Sequence, residues 1–237
     1  MAEATARRSA PTPPAGSVAL AAVFVAALAT AQLTAAKILS FELPVSLPLA
    51  GAELALPGAA LAYAFTFFAS DCYAELYGRR AAQVLVNVAF AMNFLVLALV
   101  WSTILAPAHA SSVDPAAFEL VLGASTNIVA GSLLAYLVSQ NLDVLVFEAI
   151  GKATDGERLW LRNVGSTATS QLVDTVIFVG IAFWLVPQTL GIGPQPPNSE
   201  VVALMVGQYA LKLLIALVDT PFVYLVTGAI RRSERAV

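Results

Sequence analysis

Long apolar segments, separated by short polar ones, make up most of the chain. Each segment is long enough to cross roughly 30 Å of hydrocarbon, which takes about 20 helical residues. A helix is the predicted element because the bilayer interior offers no water to backbone polar groups. The pattern therefore predicts an all-α integral membrane protein with six transmembrane helices. The predicted spans are Ser17–Ser40, Gly58–Tyr77, Ala81–Ala106, Ala124–Ile150, Asn163–Val186 and Glu200–Ile230.

The segments outside these spans are short, so a single membrane domain is predicted and no soluble module. Residues 1–16 are predicted to be a disordered N-terminus, 17–230 the six-helix domain and 231–237 a basic tail. The stretch Ala27-Leu28-Ala29 resembles a signal-peptide cleavage site. The apolar run continues through Lys37, which favours an uncleaved span.

Two connecting segments have patterns of their own. Phe41–Pro57 is apolar, proline-rich and alternating, which fits a β-hairpin or a re-entrant lid over the external mouth as well as a plain connector. Asp114-Pro115 is a helix-start signal and predicts a short interfacial helix in the third loop.

Basic residues fix the predicted orientation. Ten of the 12 Lys and Arg lie in the N-terminus, the second loop, the fourth loop and the C-terminus, all on one side of a six-span chain. By the positive-inside rule, both termini are predicted to be cytoplasmic and the chain to lie in the cell membrane. Trp101 and Trp184 fall at predicted outer ends, where interfacial aromatic residues concentrate.

Composition excludes several classes of function. Hydrophobic residues make up 59% of the chain and charged residues 11%, against about 25% charged in soluble domains. One Cys and one His exclude a disulfide and any site built from several Cys or His ligands. The sequence also lacks a glycine-rich phosphate loop. We therefore expect no metal, no cofactor and no nucleic-acid partner.

One polar pattern occurs twice within the apolar spans. It reads Ser139-Gln140-x-x-Asp143-x-x-x-Phe147 and then Ser170-Gln171-x-x-Asp174-x-x-x-Phe178. This spacing places the four residues on one stripe of a helix. A carboxylate at the centre of a membrane helix costs about 2.5–3.5 kcal/mol, so two copies indicate a binding site. The short fourth loop makes these helices neighbours, and we expect the two stripes to face a common cavity.

Further charged residues lie within the predicted spans. Asp71 and Glu75 share a face of the second span, and Lys212 and Asp219 lie in the sixth. Charges in the membrane interior usually pair or face water, so these groups indicate a shared polar interior with Lys212 as the counter-ion. Phe147 and Phe178 are candidates for stacking on a planar ligand, or plain packing residues. The Ser and Asn residues fit interhelical hydrogen bonds.

These side chains suit a small, planar, purine-like molecule. A carboxylate can accept a pair of N–H groups, and a carboxamide complements a carbonyl. The same residues also suit a proton-coupled transporter or a cation path. The residue types alone leave these alternatives open.

Four motifs carry the polar residues of the spans: SDCYAELYG (Ser70–Gly78), SQNLDVLVF (Ser139–Phe147), SQLVDTVIFVGIAFW (Ser170–Trp184) and YALKLLIALVDTPFVY (Tyr209–Tyr224). In this order they resemble the queuosine precursor transporter family, formerly a vitamin uptake transporter family. The resemblance implies uptake of 7-cyano-7-deazaguanine or 7-aminomethyl-7-deazaguanine, as precursors of queuosine or, in archaea, of archaeosine. It also implies an architecture similar to the substrate-binding subunits of energy-coupling-factor importers. The substrate-binding positions it implies are Asp71, Glu75, Gln140, Asp143, Gln171, Asp174, Lys212 and Asp219.

Two other functions stay open at this point. One is a substrate-binding subunit that needs a separate ATPase, and the other is an intramembrane aspartyl enzyme using Asp143 and Asp174. The second is disfavoured because such a pair must share a proton, whereas these residues lie at depths differing by about 6 Å. The expected partners are therefore a purine-like substrate and the lipid bilayer, with a homo-oligomer as an open alternative.

Overall fold

Each predicted apolar segment contains a long helix in the computed structural model, which describes residues 13–47, 51–155 and 157–235. A π-helical turn, Gly180–Leu185, joins the helices Leu159–Val179 and Val186–Leu190. Such turns are rare and are often found near functional sites. The helices are α1 (Ala15–Thr34), α2 (Ala60–Tyr77), α3 (Arg79–Ile104), α4 (Pro115–Gly123), α5 (Ser125–Ala153), α6 (Leu159–Val179), α7 (Val186–Leu190) and α8 (Asn198–Arg235).

Four helical stretches of the described residues are long and apolar enough to cross a membrane. They are Ala15–Thr34, Arg79–Ile104, Pro115–Ala153 and Val164–Leu190. Of the remaining long helices, α2 is 18 residues long and contains Asp71 and Glu75, whereas α8 is 38 residues long with Lys212 and Pro221 inside it. Membrane crossing by α2 and α8, and hence the number six, stays a prediction.

Large apolar side chains cover much of the outer surface. Leu61, Leu145 and Leu225 are each more than 60% exposed, and many other Leu, Val and Phe side chains are also exposed. Soluble proteins rarely expose contiguous apolar surface on this scale. Together with the apolar helices, this surface indicates a multi-pass membrane protein.

The first predicted span is too long at its C-terminal end. Helix α1 ends at Thr34 rather than Ser40, and the chain then forms strand β1 (Ile38–Leu47) paired antiparallel with β2 (Gly51–Pro57). The helical pattern gives way to alternating residues here, and Ile38 is β-branched. The β-hairpin alternative is thus confirmed, and it adds a two-stranded element to the otherwise helical fold.

The hairpin packs with its backbone against α8. The Gly58 N–H donates to the Lys37 carbonyl at 2.6 Å and closes its base. A Cβ at Gly207 on α8 would overlap the Ala55 carbonyl oxygen of β2. Gly207 therefore permits the close approach of the hairpin to α8. We call the end of the molecule that carries β1 and β2 the hairpin end.

The opposite end carries the basic residues and is called the basic end. Helices α2 and α3 meet there at Gly78, whose φ of +90° is a conformation that favours glycine. Arg79 begins α3, and Arg231 lies near the end of α8. Because α8 continues to Arg235, most of the predicted tail is helical, and α1 begins at Ala15, two residues before the predicted boundary. The rest of the predicted disordered N-terminus, up to residue 12, lies outside the described residues.

The short helix predicted in the third loop is present as α4, whereas its interfacial position stays a prediction. The Asp114 carboxylate caps it by accepting from the Ala117 N–H at 2.8 Å, and Pro115 occupies the first helical position. Both features are typical helix starts.

Helices α5 and α6 make the most extensive helix–helix contact, and they run antiparallel. Gly131 of α5 sits so close to the Phe178 carbonyl that an added Cβ would lie 3.0 Å from that oxygen. Ala135 and Thr175 are fully buried nearby. Small residues of this kind let membrane helices approach closely, which brings the two repeated stripes together.

Replacing Gly207 by Ala should push β2 away from α8. Ala is the better helix former by about 1 kcal/mol, yet the overlap with Ala55 should cost about 1–3 kcal/mol. We expect a lower melting temperature of the purified protein in detergent. Gly228→Ala is the matched control on the same helix, because nothing lies within 4 Å of its Cβ position. An equal or higher melting temperature for Gly207→Ala than for Gly228→Ala would contradict the close hairpin contact.

Candidate functional site

A buried ion pair joins α6 to α8. The Lys212 Nζ lies 2.5 Å from the Asp174 Oδ2, and the two side chains are only 3% and 14% exposed. A charge buried without a partner is strongly unfavourable, whereas a hydrogen-bonded pair offsets much of that cost. Lys212 therefore has the counter-ion role that the sequence predicted, with Asp174 as its partner.

The second oxygen of Asp174 contacts the other copy of the repeated motif. Ser139 on α5 donates its hydroxyl to the Asp174 Oδ1 at 3.1 Å. The first residue of one motif thus meets the fifth residue of the other across the α5–α6 interface. The two stripes face each other at this point. The side chains of Asp143 and Asp219 lie outside the part of the chain that the structure describes.

Tyr63 of α2 lies beside the same ion pair. Its ring centroid is 5.7 Å from the Lys212 Nζ, within the range in which an aromatic face stabilises a cation. Helices α2, α5, α6 and α8 therefore meet around a single charged centre.

A cavity of about 180 Å³ lies against this centre and is lined by residues of α1, α2, α3, α5 and α6. We call it the central cavity. Its polar lining comes from both copies of the motif and from α2, and aromatic rings form other parts of its wall. The lining residues are Phe24, Leu28, Tyr63, Thr66, Phe67, Ser70, Val86, Phe90, Tyr136, Ser139, Gln140, Gln171 and Asp174.

Two further cavities adjoin the ion pair. A small one of about 30 Å³, the hairpin-side cavity, is lined by Gln32, Pro57, Phe178, Gln208 and Lys212, among others. A cavity of about 230 Å³ between α2, α6 and α8 is lined by Phe67, Asp71, Thr167, Gln171, Lys212, Leu213 and Ile215. Lys212 and Asp174 thus stand where the three spaces come together.

Three carboxamides near this centre have free acceptors. Within the described residues, no donor bonds to the Oε1 atoms of Gln171, Gln32 or Gln208, all of which are buried. Gln171 faces the central cavity, and the other two face the hairpin-side cavity. A buried unpaired acceptor is unfavourable until a ligand or water donates to it.

The predicted acidic residues of α2 have separate surroundings. Asp71 is exposed and lines the cavity between α2, α6 and α8. Glu75 is exposed at the basic end, where the Arg231 Nη2 donates to its Oε1 at 2.7 Å and to its carbonyl at 3.1 Å. Glu75 therefore ties α2 to α8 at the surface, away from the central cavity.

The two predicted stacking residues also lie apart from each other. Phe178 lines the hairpin-side cavity and packs edge-on against Phe183, with ring centroids 6.1 Å apart. Phe147 is half-buried and is not among the residues that line these three cavities. The central cavity instead has the rings of Phe67, Phe90 and Tyr136, which the motif analysis did not single out.

The side chains that the structure describes include no candidate metal site. Among them, no group of three His, Cys, Asp or Glu residues could hold a metal ion. Asp174 is paired with a cation, whereas an aspartyl enzyme needs a carboxyl that shares its proton with a second carboxyl.

Comparison with known proteins identifies related sequences and a family. The family model described as "Putative vitamin uptake transporter" matches residues 57–226. The "Probable queuosine precursor transporter" of Bacillus subtilis (strain 168) is 35% identical over 176 residues, which cover 73% of this chain and 72% of that protein. The "Queuosine precursor transporter" of Escherichia coli (strain K12) is 28% identical over 167 residues, which cover 67% and 66% of the two chains. No solved structure matches the chain.

The matched region contains α2 to α7, most of α8 and all four motifs that carry the polar residues of the spans. The chain therefore belongs to the vitamin uptake transporter family, and it is a membrane transporter rather than an enzyme.

Proposed function

We propose that the chain imports queuosine precursor bases, 7-cyano-7-deazaguanine or 7-aminomethyl-7-deazaguanine, across the cytoplasmic membrane. The names of the two relatives support the substrate class. By the positive-inside rule, the basic end faces the cytoplasm and both termini are cytoplasmic. Import then runs from the hairpin end to the basic end.

The observation that carries this proposal is the buried Asp174 carboxylate at the wall of the central cavity, beside the free Gln171 acceptor. A deazaguanine presents two neighbouring N–H donors and a carbonyl along one edge. A carboxylate has about four lone-pair sites, so Asp174 can accept from the base while it holds Lys212 and Ser139. Gln171 supplies another acceptor, and the Gln140 amide can donate to the carbonyl.

Aromatic side chains give the cavity its second element of recognition. Phe67, Phe90 and Tyr136 line it, and a flat heterocycle gains offset stacking against such rings. Polar groups that bind the edge and rings that contact the faces together select planar bases with the right donors. Asp143 stays a candidate ligand, since its position in the motif matches that of Asp174.

Transport by this chain should restore queuosine to tRNA in a cell that cannot make the precursor. We expect rescue at submicromolar external base when the chain is expressed, and none with an empty vector, as measured by the queuosine content of tRNA. Uptake of the labelled base by the purified chain in liposomes tests whether a separate ATPase is required. If the chain rescues the cells but takes up no base in liposomes, the alternative of a substrate-binding subunit is favoured.

Asp174→Asn should abolish uptake and also destabilise the protein. It leaves the Lys212 ammonium buried without a counter-ion, which costs about 3–5 kcal/mol. The double variant Asp174→Asn with Lys212→Met removes both charges, so we expect its melting temperature to recover while base binding stays at least tenfold weaker. Thermal unfolding and equilibrium binding in detergent separate the two effects. Wild-type binding by the double variant would show that Asp174 does not hold the base.

Gln171→Leu should weaken binding of the base without unfolding the chain. The free Oε1 makes no hydrogen bond within the described residues, so its loss costs little stability. We expect at least a tenfold higher Kd, or about 1.4 kcal/mol, for the deazaguanine. A base analogue without the exocyclic amino group should lose less affinity on this substitution. Its Kd for the wild type and for the Gln171→Leu variant measures this. Leu172→Ala, on the exposed side of the same turn, is the control; if it weakens binding as much, the assigned role of Gln171 is wrong.

A further inference from the structure

The line of contact between α3 and α5 carries polar side chains where lipid would be expected. Gln83 and Asn87 are exposed on α3, one and two turns after the basic residues Arg79 and Arg80. Their neighbours Val84 and Val88 are 57% and 54% exposed. An exposed carboxamide is unfavourable against hydrocarbon, whereas an exposed valine is favourable there. The face of α3 that carries Gln83 and Asn87 therefore suits a polar environment, whereas the face that carries Val84 and Val88 suits lipid.

Tyr136 of α5 connects these carboxamides across the seam. Gln83 donates its Nε2 to the Asn87 Oδ1 at 2.9 Å and to the Tyr136 hydroxyl at 2.5 Å. The Tyr136 hydroxyl donates to the same Asn87 oxygen at 3.1 Å. Its ring stacks on Phe90 of α3, with centroids 4.7 Å apart and planes 22° apart. This cluster bridges two helices that otherwise make little contact.

The bridge continues directly into the central cavity. Tyr136, Phe90 and Gln140 line that cavity, and the Gln140 side chain is exposed. A row of polar groups thus runs from the wall of the binding site to the surface of α3 near the basic end.

The space between the ion pair and the hairpin is narrow. The hairpin-side cavity is only about 30 Å³, and the hairpin backbone rests against α8 at Gly207. The central cavity is about six times larger, at about 180 Å³. Of these two cavities, the wider one is lined in part by α3 and α5.

We propose that the seam between α3 and α5 is the exit portal through which the bound base reaches the cytoplasm. Gln140, Tyr136, Asn87 and Gln83 line it, and their amide and hydroxyl groups replace water around the polar edge of the base. The hydrogen bonds of Tyr136 hold the portal narrow, and passage requires that they open. This inference rests on the proposed function, since it assumes a base in the central cavity.

Single-cysteine labelling tests the portal. Cys72 is the chain's one native cysteine and is replaced by Ala to give the background. Gln83→Cys and Asn87→Cys are compared with Val84→Cys and Val88→Cys, which lie at the same depth on the lipid side. A membrane-impermeant methanethiosulfonate reagent is added to the cytoplasmic face of inside-out vesicles. A thiol reacts as a thiolate, which forms in water and not in hydrocarbon.

We expect cysteines at 83 and 87 to react at least tenfold faster than those at 84 and 88. Saturating 7-cyano-7-deazaguanine should slow labelling at 87. Equal rates at all four positions would overturn the portal, and so would an oxidation-induced disulfide dimer through position 83, because the seam would then be covered by a second copy. If cysteines at 83 and 87 react fast but the base does not slow their labelling, the proposed route of the base through the seam would also be overturned.

Base uptake by the Cys72→Ala background, measured separately, tests the proposed function. If the background takes up no base but wild type does, the background is replaced by Cys72→Ser. If wild type itself takes up no base, the substrate assignment fails, whereas the water accessibility of the seam is still decided by the four labelling rates.

Discussion

The arrangement of the core depends on one interaction, the buried pair of Lys212 and Asp174. Either charge alone would be expensive inside an apolar bundle, so each requires the other at hydrogen-bond distance. That requirement fixes α8 against α6, and the Ser139 hydroxyl adds α5 to the same carboxylate. Tyr63 places α2 beside the ammonium. The cavities that adjoin the pair are lined by residues of these four helices, among others.

The contacts at the two ends of the binding site differ in kind, and this difference bears on how import could proceed. At the hairpin end, a strand backbone lies on a glycine of α8. At the α3–α5 seam, a three-residue hydrogen-bond cluster and one aromatic stack form the bridge. By contrast, the α5–α6 interface is extensive and closely packed around Gly131. Import from the hairpin end, as proposed, therefore requires movement at the hairpin and the seam, while α5 and α6 can stay together.

The sequence was sufficient for the helices and for the pairing of the two motifs. Helices show in the sequence because twenty apolar residues have few other structures available in a bilayer. The motifs could be interpreted because burying a carboxylate is costly, and because a short loop makes α5 and α6 neighbours. The contact of Ser139 with Asp174 agrees with that reasoning. The hairpin was one of several structures that fitted its alternating pattern, and the helical pattern of α1 did not mark Thr34 as its end.

Which residues face the site depends on the rotation of the helices about their axes. Only tertiary packing sets this rotation, so the sequence did not reveal it. Glu75 looked like a site residue beside Asp71, yet Arg231, distant in sequence, pairs with it at the basic end. Phe147 shares the spacing of Phe178 but not its surroundings. Tyr63, Phe90 and Tyr136 face the cavity, although an aromatic residue in an apolar span resembles a lipid-facing one. Only groups whose burial is expensive stand out in such a sequence, so the charged centre could be predicted while the aromatic walls around it could not.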